Sequence, residues 1–193
     1  MIVMRSICFL FFVVSVGCTA TYRIGGDYPI PLVQTLPVSL ELALDNDFTD
    51  YIYEDEREGA NVKIELGEAQ QNLFETVTNA MFTGSEDGPK LMMKPSVNDF
   101  QYAVPRQTSS QIYEVWIKYR IAIEEPGGDT IADWIITGYG KTPTALLKRQ
   151  GQAVNAAANI ALRDIGTQLA IGFKRQPDIA LWLNENSVEA TSL

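Results

Sequence analysis

The residues of this 193-residue sequence that could carry chemistry are carboxylates and one Gly-Lys-Thr triplet, because the chain contains no histidine. That absence excludes Ser-His-Asp and Cys-His catalysis and histidine-based zinc sites. Carboxylates cluster at Glu54-Asp55-Glu56, Glu86-Asp87 and Glu124-Glu125. General acid chemistry needs one carboxyl raised by an apolar pocket beside a second that stays ionised. All three clusters fall in turns or on exposed faces, so they read as charged surface. Asp45, Asp47, Thr49 and Glu56 take positions 1, 3, 5 and 12 of a calcium loop. The sharp turn at position 6 requires glycine, and Asp50 stands there between flanks that read as strands. A solvated acidic loop follows, with no metal. Gly140-Lys141-Thr142 ends like a phosphate loop, but Ile135 occupies the position of its first glycine, and Pro143 interrupts the helix that should follow. This stretch reads as a strand end and a turn, with Thr142 or Thr144 capping the next helix.

One strand offers a surface for binding. From Gln111 to Glu124, Tyr113, Val115, Ile117, Tyr119, Ile121 and Ile123 alternate with Glu114, Trp116, Lys118, Arg120 and Glu124. The second set faces away from the core. Trp116, Lys118 and Arg120, with Trp134 across the hairpin, make a candidate partner-binding patch, since aromatic and arginine residues concentrate at interface hot spots. The same pattern also describes a cross-strand aromatic pair that only stabilises the sheet.

The first eighteen residues, MIVMRSICFLFFVVSVGC, have a single basic residue, Arg5, before an apolar run from Ile7 to Val16. This is the layout of a secretory signal. A run of about ten residues is half the roughly twenty that span a bilayer. The closing Gly17-Cys18 resembles the lipobox of bacterial lipoproteins. Val16 and Gly17 fit it, while Ser15 stands where that family usually has an aliphatic residue. A signal cut near Ala20 is the alternative. The resemblance implies that residues 1–17 are removed and that Cys18 is lipidated and inserted in the bilayer. Thr19, rather than aspartate, follows it, which implies the outer membrane, facing the periplasm, with the inner membrane the alternative. Cys8 would leave with the signal and Cys18 would be acylated, so no disulfide could form.

Removing residues 1–17 leaves 176 residues with 14 basic and 24 acidic side chains. That length suffices for one domain with its own core. The acidic balance argues against nucleic acid as a partner.

The elements that position these residues follow in order. Thr19 to Pro37, rich in Gly and Pro, reads as an extended tether continuing from Cys18 (18–37), its later part, with Tyr28, Ile30 and Leu32, able to lie against the domain. Val38 to Leu44 and Val62 to Leu66 alternate as strands, with a short aromatic piece at Tyr51–Tyr53 between them. Glu68 to Phe82 changes to helical spacing. Leu91 to Val104 contains Pro95 and reads as an edge strand or two short pieces. The strand at 111–124, the turn Pro126-Gly127-Gly128-Asp129 and a return strand from Thr130 to Gly138 form a hairpin. A long helix spans Ala145 to Phe173, with Gly151, Gly166 and Gly172 as points of a kink. Pro177 opens a short helix, and 184–193 reads as a disordered tail. The order β-β-β-α-β-β-β-α predicts an α+β, two-layer sandwich over 38–183. An antiparallel or mixed sheet of about five to six strands carries two main helices on one face.

With lipobox, tether and small sandwich together, the chain resembles small accessory lipoproteins of Gram-negative envelope machines, such as the lipopolysaccharide-assembly lipoprotein and auxiliary lipoproteins of ABC-type transporters. The resemblance implies a non-enzymatic, cofactor-free subunit in envelope assembly or transport, attached to the bilayer through Cys18 and bound to an envelope protein. A module binding a small ligand or glycan in a groove beside the aromatic strands is the second expectation. A carboxylate-only hydrolase is the third.

Overall fold

The computed structural model describes residues 19–57, 60–84, 88–108, 111–143 and 149–186. Strands are β1 (Thr19–Arg23), β2 (Ser39–Leu42), β3 (Ile52–Arg57), β4 (Ala60–Glu65), β5 (Lys90–Ala103), β6 (Ile112–Glu124) and β7 (Thr130–Pro143). Helices are α1 (Asn46–Thr49), α2 (Gly67–Met81), α3 (Gln150–Gly172) and α4 (Pro177–Glu185). The α+β class holds, but the strands form two sheets. One has the order β2-β5-β6-β7 and the other β1-β4-β3.

The alternation in β6 places Val115, Ile117, Tyr119, Ile121 and Ile123 fully inside. Its partners β5 and β7 are antiparallel, while the short β2 adds in parallel beside β5. The inner face of this sheet is covered by α3 over β6 and β7, by α2 alongside α3, and by the smaller sheet near β5. Tyr53 of β3 meets Phe100 and Tyr102 of β5 with ring centroids 4.8 and 5.9 Å apart. At the centre, Phe48, Phe74 and Tyr119 pack edge-on or tilted at 5.3 to 5.8 Å. Such aromatic pairs add to the burial of their area.

Several sequence expectations are corrected. Residues 19–37 are not a loose tether. Thr19 to Arg23 pair in register with Asn61 to Glu65, and Ile24, Leu36 and Val38 are buried. Asn159 of α3 donates to the Gly25 carbonyl and accepts from the Tyr28 hydroxyl, at 2.9 and 3.1 Å. The acidic stretch after Asp45 contains α1, and the Asp45 carboxylate caps it by accepting from the Phe48 N–H at 2.8 Å. Glu56 lies on β3, not in a loop with Asp45.

Pro95 neither ends nor splits β5, a single strand with a register shift at Val97–Asp99, but the edge reading holds at Pro95 itself, since β2 pairs only with Lys90 to Met93. The Met93 carbonyl accepts from the Ala43 N–H, so the backbone of Pro95, two residues on, faces the same side just past the end of β2. Its missing donor deprives no partner strand. The helix expected from Ala145 starts at Gln150, and β7 continues through Gly138-Tyr139-Gly140 to Pro143. Thr142 is therefore a strand residue and caps nothing. Thr144 lies outside the described residues, as do Cys18, Glu86 and Asp87. Asn184 to Asn186 end α4 rather than opening a disordered tail, with the Asn186 side chain donating to the Trp182 carbonyl.

The glycines of the Gly-Tyr-Gly-Lys-Thr stretch have a packing role. A Cβ on Gly140 would stand 1.9 Å from the Ala157 carbonyl oxygen, and one on Gly138 would stand 2.3 Å from that of Ala161. Their absence lets α3 lie directly against the backbone of β7, with Ala157, Ala158 and Ala161 as its contact surface.

Candidate functional site

The outer face of the four-stranded sheet has no second layer among the described residues. Strand alternation sends Glu114, Trp116, Lys118 and Arg120 of β6 to this face, and register pairing brings Lys141, Tyr139, Thr137 and Ile135 of β7 beside them. The Trp116 and Tyr139 rings stack at 5.3 Å with a 33° interplanar angle. Ile135, beyond them, is 55 % exposed.

The charges on the face are paired along the sheet. Arg120 donates to both Asp133 carboxylate oxygens, with Nε at 2.8 and 2.9 Å, and holds that carboxyl below its ordinary range. Lys118 lies 3.4 Å from Asp99, and Lys94 lies 2.7 Å from Glu124. The Tyr139 hydroxyl donates to Glu114. That hydrogen bond, with some burial and the carboxylate charge, pushes the phenol up to about 12. Exposed pairs of this kind contribute little stability. They do neutralise the face locally in a chain whose formal charge is −9, leaving Trp116, Tyr139 and Ile135 as its apolar centre.

Trp116, Lys118 and Arg120 thus share one face, but Trp134 does not join them. Trp134 pairs with Ile121 on the inner side and packs against Phe173 at 6.3 Å. Its parity along β7 matches that of Ala132 and Ile136, both buried, so the residue opposite Trp116 is Tyr139. Tyr139 was hidden from sequence reading because the glycines around it resemble a turn. Continuing the alternation of 130–138 through 143 would have placed it.

No catalytic constellation assembles among the described carboxylates. Glu54 pairs with exposed Lys63, Glu124 with Lys94, and Glu125 accepts from the Trp182 indole N–H at 2.6 Å. Tyr119, fully buried, donates to Gln70 in the core.

The free edge of β7 is partly closed by α3. Asp164 accepts from the Tyr139 backbone N–H at 3.1 Å, and Gln168 donates to the Thr137 carbonyl at 2.8 Å. These side chains occupy groups that another strand would otherwise seek.

Among the described residues, a large recess opens on the other side of the sheet. It is a cleft of about 720 Å³ where the smaller sheet meets the ends of β5 and β6, walled by Tyr22, Tyr102 and Tyr113. Tyr113 belongs to the inward set of the 111–124 strand, and Tyr22 and Tyr102 join it only in three dimensions. Tyr22 had been assigned to the tether.

The fold defines an α+β open-faced sandwich with four strands in its principal sheet. No family model matches the chain, and no curated protein sequence does. Among solved structures, a Xanthomonas campestris protein described by the family model DUF330 is similar at 11 % identity and a TM-score of 0.49, covering 79 % of this chain and 91 % of its own. A minor lipoprotein from Acinetobacter baumannii is similar at 14 % identity and a TM-score of 0.44, covering 84 % of this chain and 100 % of its own. Among the described residues, no helix is long and apolar enough to cross a membrane.

Proposed function

We propose that this protein is a lipid-anchored, non-enzymatic binding subunit of the bacterial cell envelope, held by acylated Cys18 at the outer membrane, facing the periplasm. A protein partner docks on the outer face of the four-stranded sheet. The observation that carries this reading is the Trp116–Tyr139 stack, set with Ile135 on a sheet face that no described element covers. An aromatic centre ringed by paired charges has the composition of an interface core and its rim. Because those charges already satisfy one another, an approaching surface need not supply counter-charges. The anchor contributes without touching the partner, since confinement to the membrane raises effective concentration.

The test is in-cell photocrosslinking from position 137, at the middle of the face. The expected result is one envelope protein attached in stoichiometric yield, with the adduct lost in Trp116→Ala and Tyr139→Ala proteins that melt as the wild type does. Adducts from control positions on other faces but none from 137 would refute the docking surface. Cys18→Ala tests the anchor separately: the protein should stay folded and leave the membrane fraction.

A further inference from the structure

The segment from Asp27 to Gln34 carries the two most exposed large aliphatic side chains among the described residues, Ile30 at 72 % and Leu32 at 90 %. The fold fixes them there. Tyr28 and Leu36 are buried on either side, Arg163 reaches the Asp27 carbonyl at 3.5 Å, and Lys174 donates to the Gln34 side chain at 3.1 Å. Aliphatic groups held in water carry a free-energy cost that an apolar phase would relieve. Pro29 and Pro31 alternate with them, so every second residue of this ridge lacks an N–H. A backbone with so few donors loses little on leaving water.

The packing of α3 gives the ridge its direction. Ala157 and Ala161 lie against β7. Asn159 and Arg163, which hold Gly25 and Asp27, each follow one of those alanines by two positions and so point about 200° away from the sheet. The ridge therefore crosses α3 on the far side of the molecule from Trp116. Leu73, Val77 and Gly166 line an apolar recess of about 150 Å³ beside it, and Thr167 adjoins Pro29 to Pro31. Ile160 and Ile171, half-exposed, share the Thr167 stripe of α3 by helical spacing. Cations stand at both ends, Arg163 by Asp27 and Lys174 by Gln34, with Arg175 next in the chain.

We propose that this ridge inserts into the interfacial region of a phospholipid bilayer, with Ile30 and Leu32 among the first methylenes and the flanking lysine and arginines at the level of the phosphates. Two aliphatic tips on a proline-stiffened backbone suit a fluid phase, which closes around any shape, better than a protein surface, which would need a matching pocket. Lysine and arginine at such a margin keep their stems among apolar groups and their charged ends at the headgroups. The approach to the membrane rests on the anchor proposed above, whereas the chemistry of the ridge does not. Tyr22, close behind Cys18, packs against Gly151, and the ridge packs against Thr167, about 24 Å further along α3. With α3 lying along the bilayer, the anchored end and the ridge both touch it, and the Trp116 face is turned toward the periplasm.

The test is photolabelling in vesicles of phosphatidylethanolamine and phosphatidylglycerol. The protein purified from membranes is reconstituted with a benzophenone amino acid at position 30, 32, 137 or 171, irradiated and weighed by mass spectrometry. Phospholipid adducts should form from 30, 32 and 171 and be about tenfold rarer from 137. Ile30→Asp combined with Leu32→Asp should leave melting and vesicle flotation unchanged, because both side chains are exposed and the anchor is intact. The same pair should cut lipid labelling from 171 by about tenfold.

No lipid adduct from 30 or 32 in protein that floats with the vesicles would overturn insertion, and so would equal labelling from 137. Adducts to a second copy or to a co-purified protein in place of lipid would overturn it in favour of a protein interface. If Cys18 proves unacylated, the anchor fails by itself. The ridge is then tested with the full-length Cys8→Ser chain coupled through Cys18 to a maleimide lipid in the same vesicles, where the same labelling pattern supports insertion and its absence refutes it.

Discussion

The Tyr119 hydroxyl donates to the Gln70 side-chain oxygen at 2.7 Å in the centre of the core, and the Gln70 amide in turn donates to the Phe48 carbonyl. One polar chain thereby ties β6, α2 and α1 together where neither side chain meets water. Tyr119→Phe keeps the ring and its contacts with Phe48 and Phe74 but leaves the Gln70 oxygen buried and unpaired. It should lower stability by about 1–3 kcal/mol, measured by urea unfolding.

The same tyrosine governs behaviour at high pH. Burial holds the Tyr119 phenol well above its ordinary 10.0, and burial also raises Tyr28. A raised value means the folded state keeps a proton that the unfolded chain releases. The resulting stability is complete below about pH 10 and declines as pH rises beyond it. Wild-type stability should therefore fall above pH 10, and the decline should be shallower in Tyr119→Phe. Parallel slopes for the two proteins would contradict the assignment.

Gly140→Ala should be far more disruptive than its size suggests, because the new methyl would sit 1.9 Å from the Ala157 carbonyl oxygen. Moving α3 off the sheet should reduce stability by about 3 kcal/mol, while Gly127→Ala, with nothing within 4 Å, should change it by less than about 0.5. Equal effects at the two positions would disprove close packing of α3 on β7.

On the open face, Glu114 is responsible for the raised Tyr139 phenol. Carbon-13 tyrosine spectra should show Tyr139 titrating near 12 in the wild type and returning toward its ordinary 10.0 in Glu114→Gln. Little change in stability near neutral pH should accompany the shift, because the pair is exposed.

Asp164 and Gln168 together predict an edge effect. Replacing both with alanine removes the partners of the Tyr139 N–H and Thr137 carbonyl. The Tyr139 amide should then exchange faster with solvent, and sedimentation should show concentration-dependent self-association that the parent lacks. Unchanged exchange would mean that the helix does not guard the edge.

Strong periodicity made β6, α2 and the hairpin readable in the sequence. The misreadings share a physical cause: local composition was overridden by a distant partner. Gly138 and Gly140 suggest a turn in isolation, and only the approach of Ala157 and Ala161 explains them as strand residues. Pro95 marks an open edge rightly, because β2 stops just short of it, but the break in β5 that it also suggests does not occur. The Gly-Pro composition of 19–37 suggests slack until β4 supplies a partner for Thr19 to Arg23. The Trp116 face was legible from alternation alone. Trp134 was assigned to that face because both tryptophans lie in one hairpin, and register, which sequence does not disclose, sends it to the other. Gln70, the longest polar side chain in the buried stripe of α2, is the visible hint of a network whose partner lies 49 residues away.

β1 begins at Thr19, so the residue proposed to carry the lipid adjoins the first rung of a sheet. A free 19–37 segment could have let the domain roam about 60 Å from its attachment. With those residues built into the fold, acyl chains on Cys18, as proposed, would act as a pivot instead of a leash. The body would swing about that point without retreating from the headgroups, so its range of postures would be narrow and a partner would have to come to the bilayer to meet it. Lengthening the chain between Cys18 and Thr19 with a Gly-Ser spacer would restore the leash, and crosslinking yield from position 137 as a function of spacer length would report how much the function depends on that short mooring.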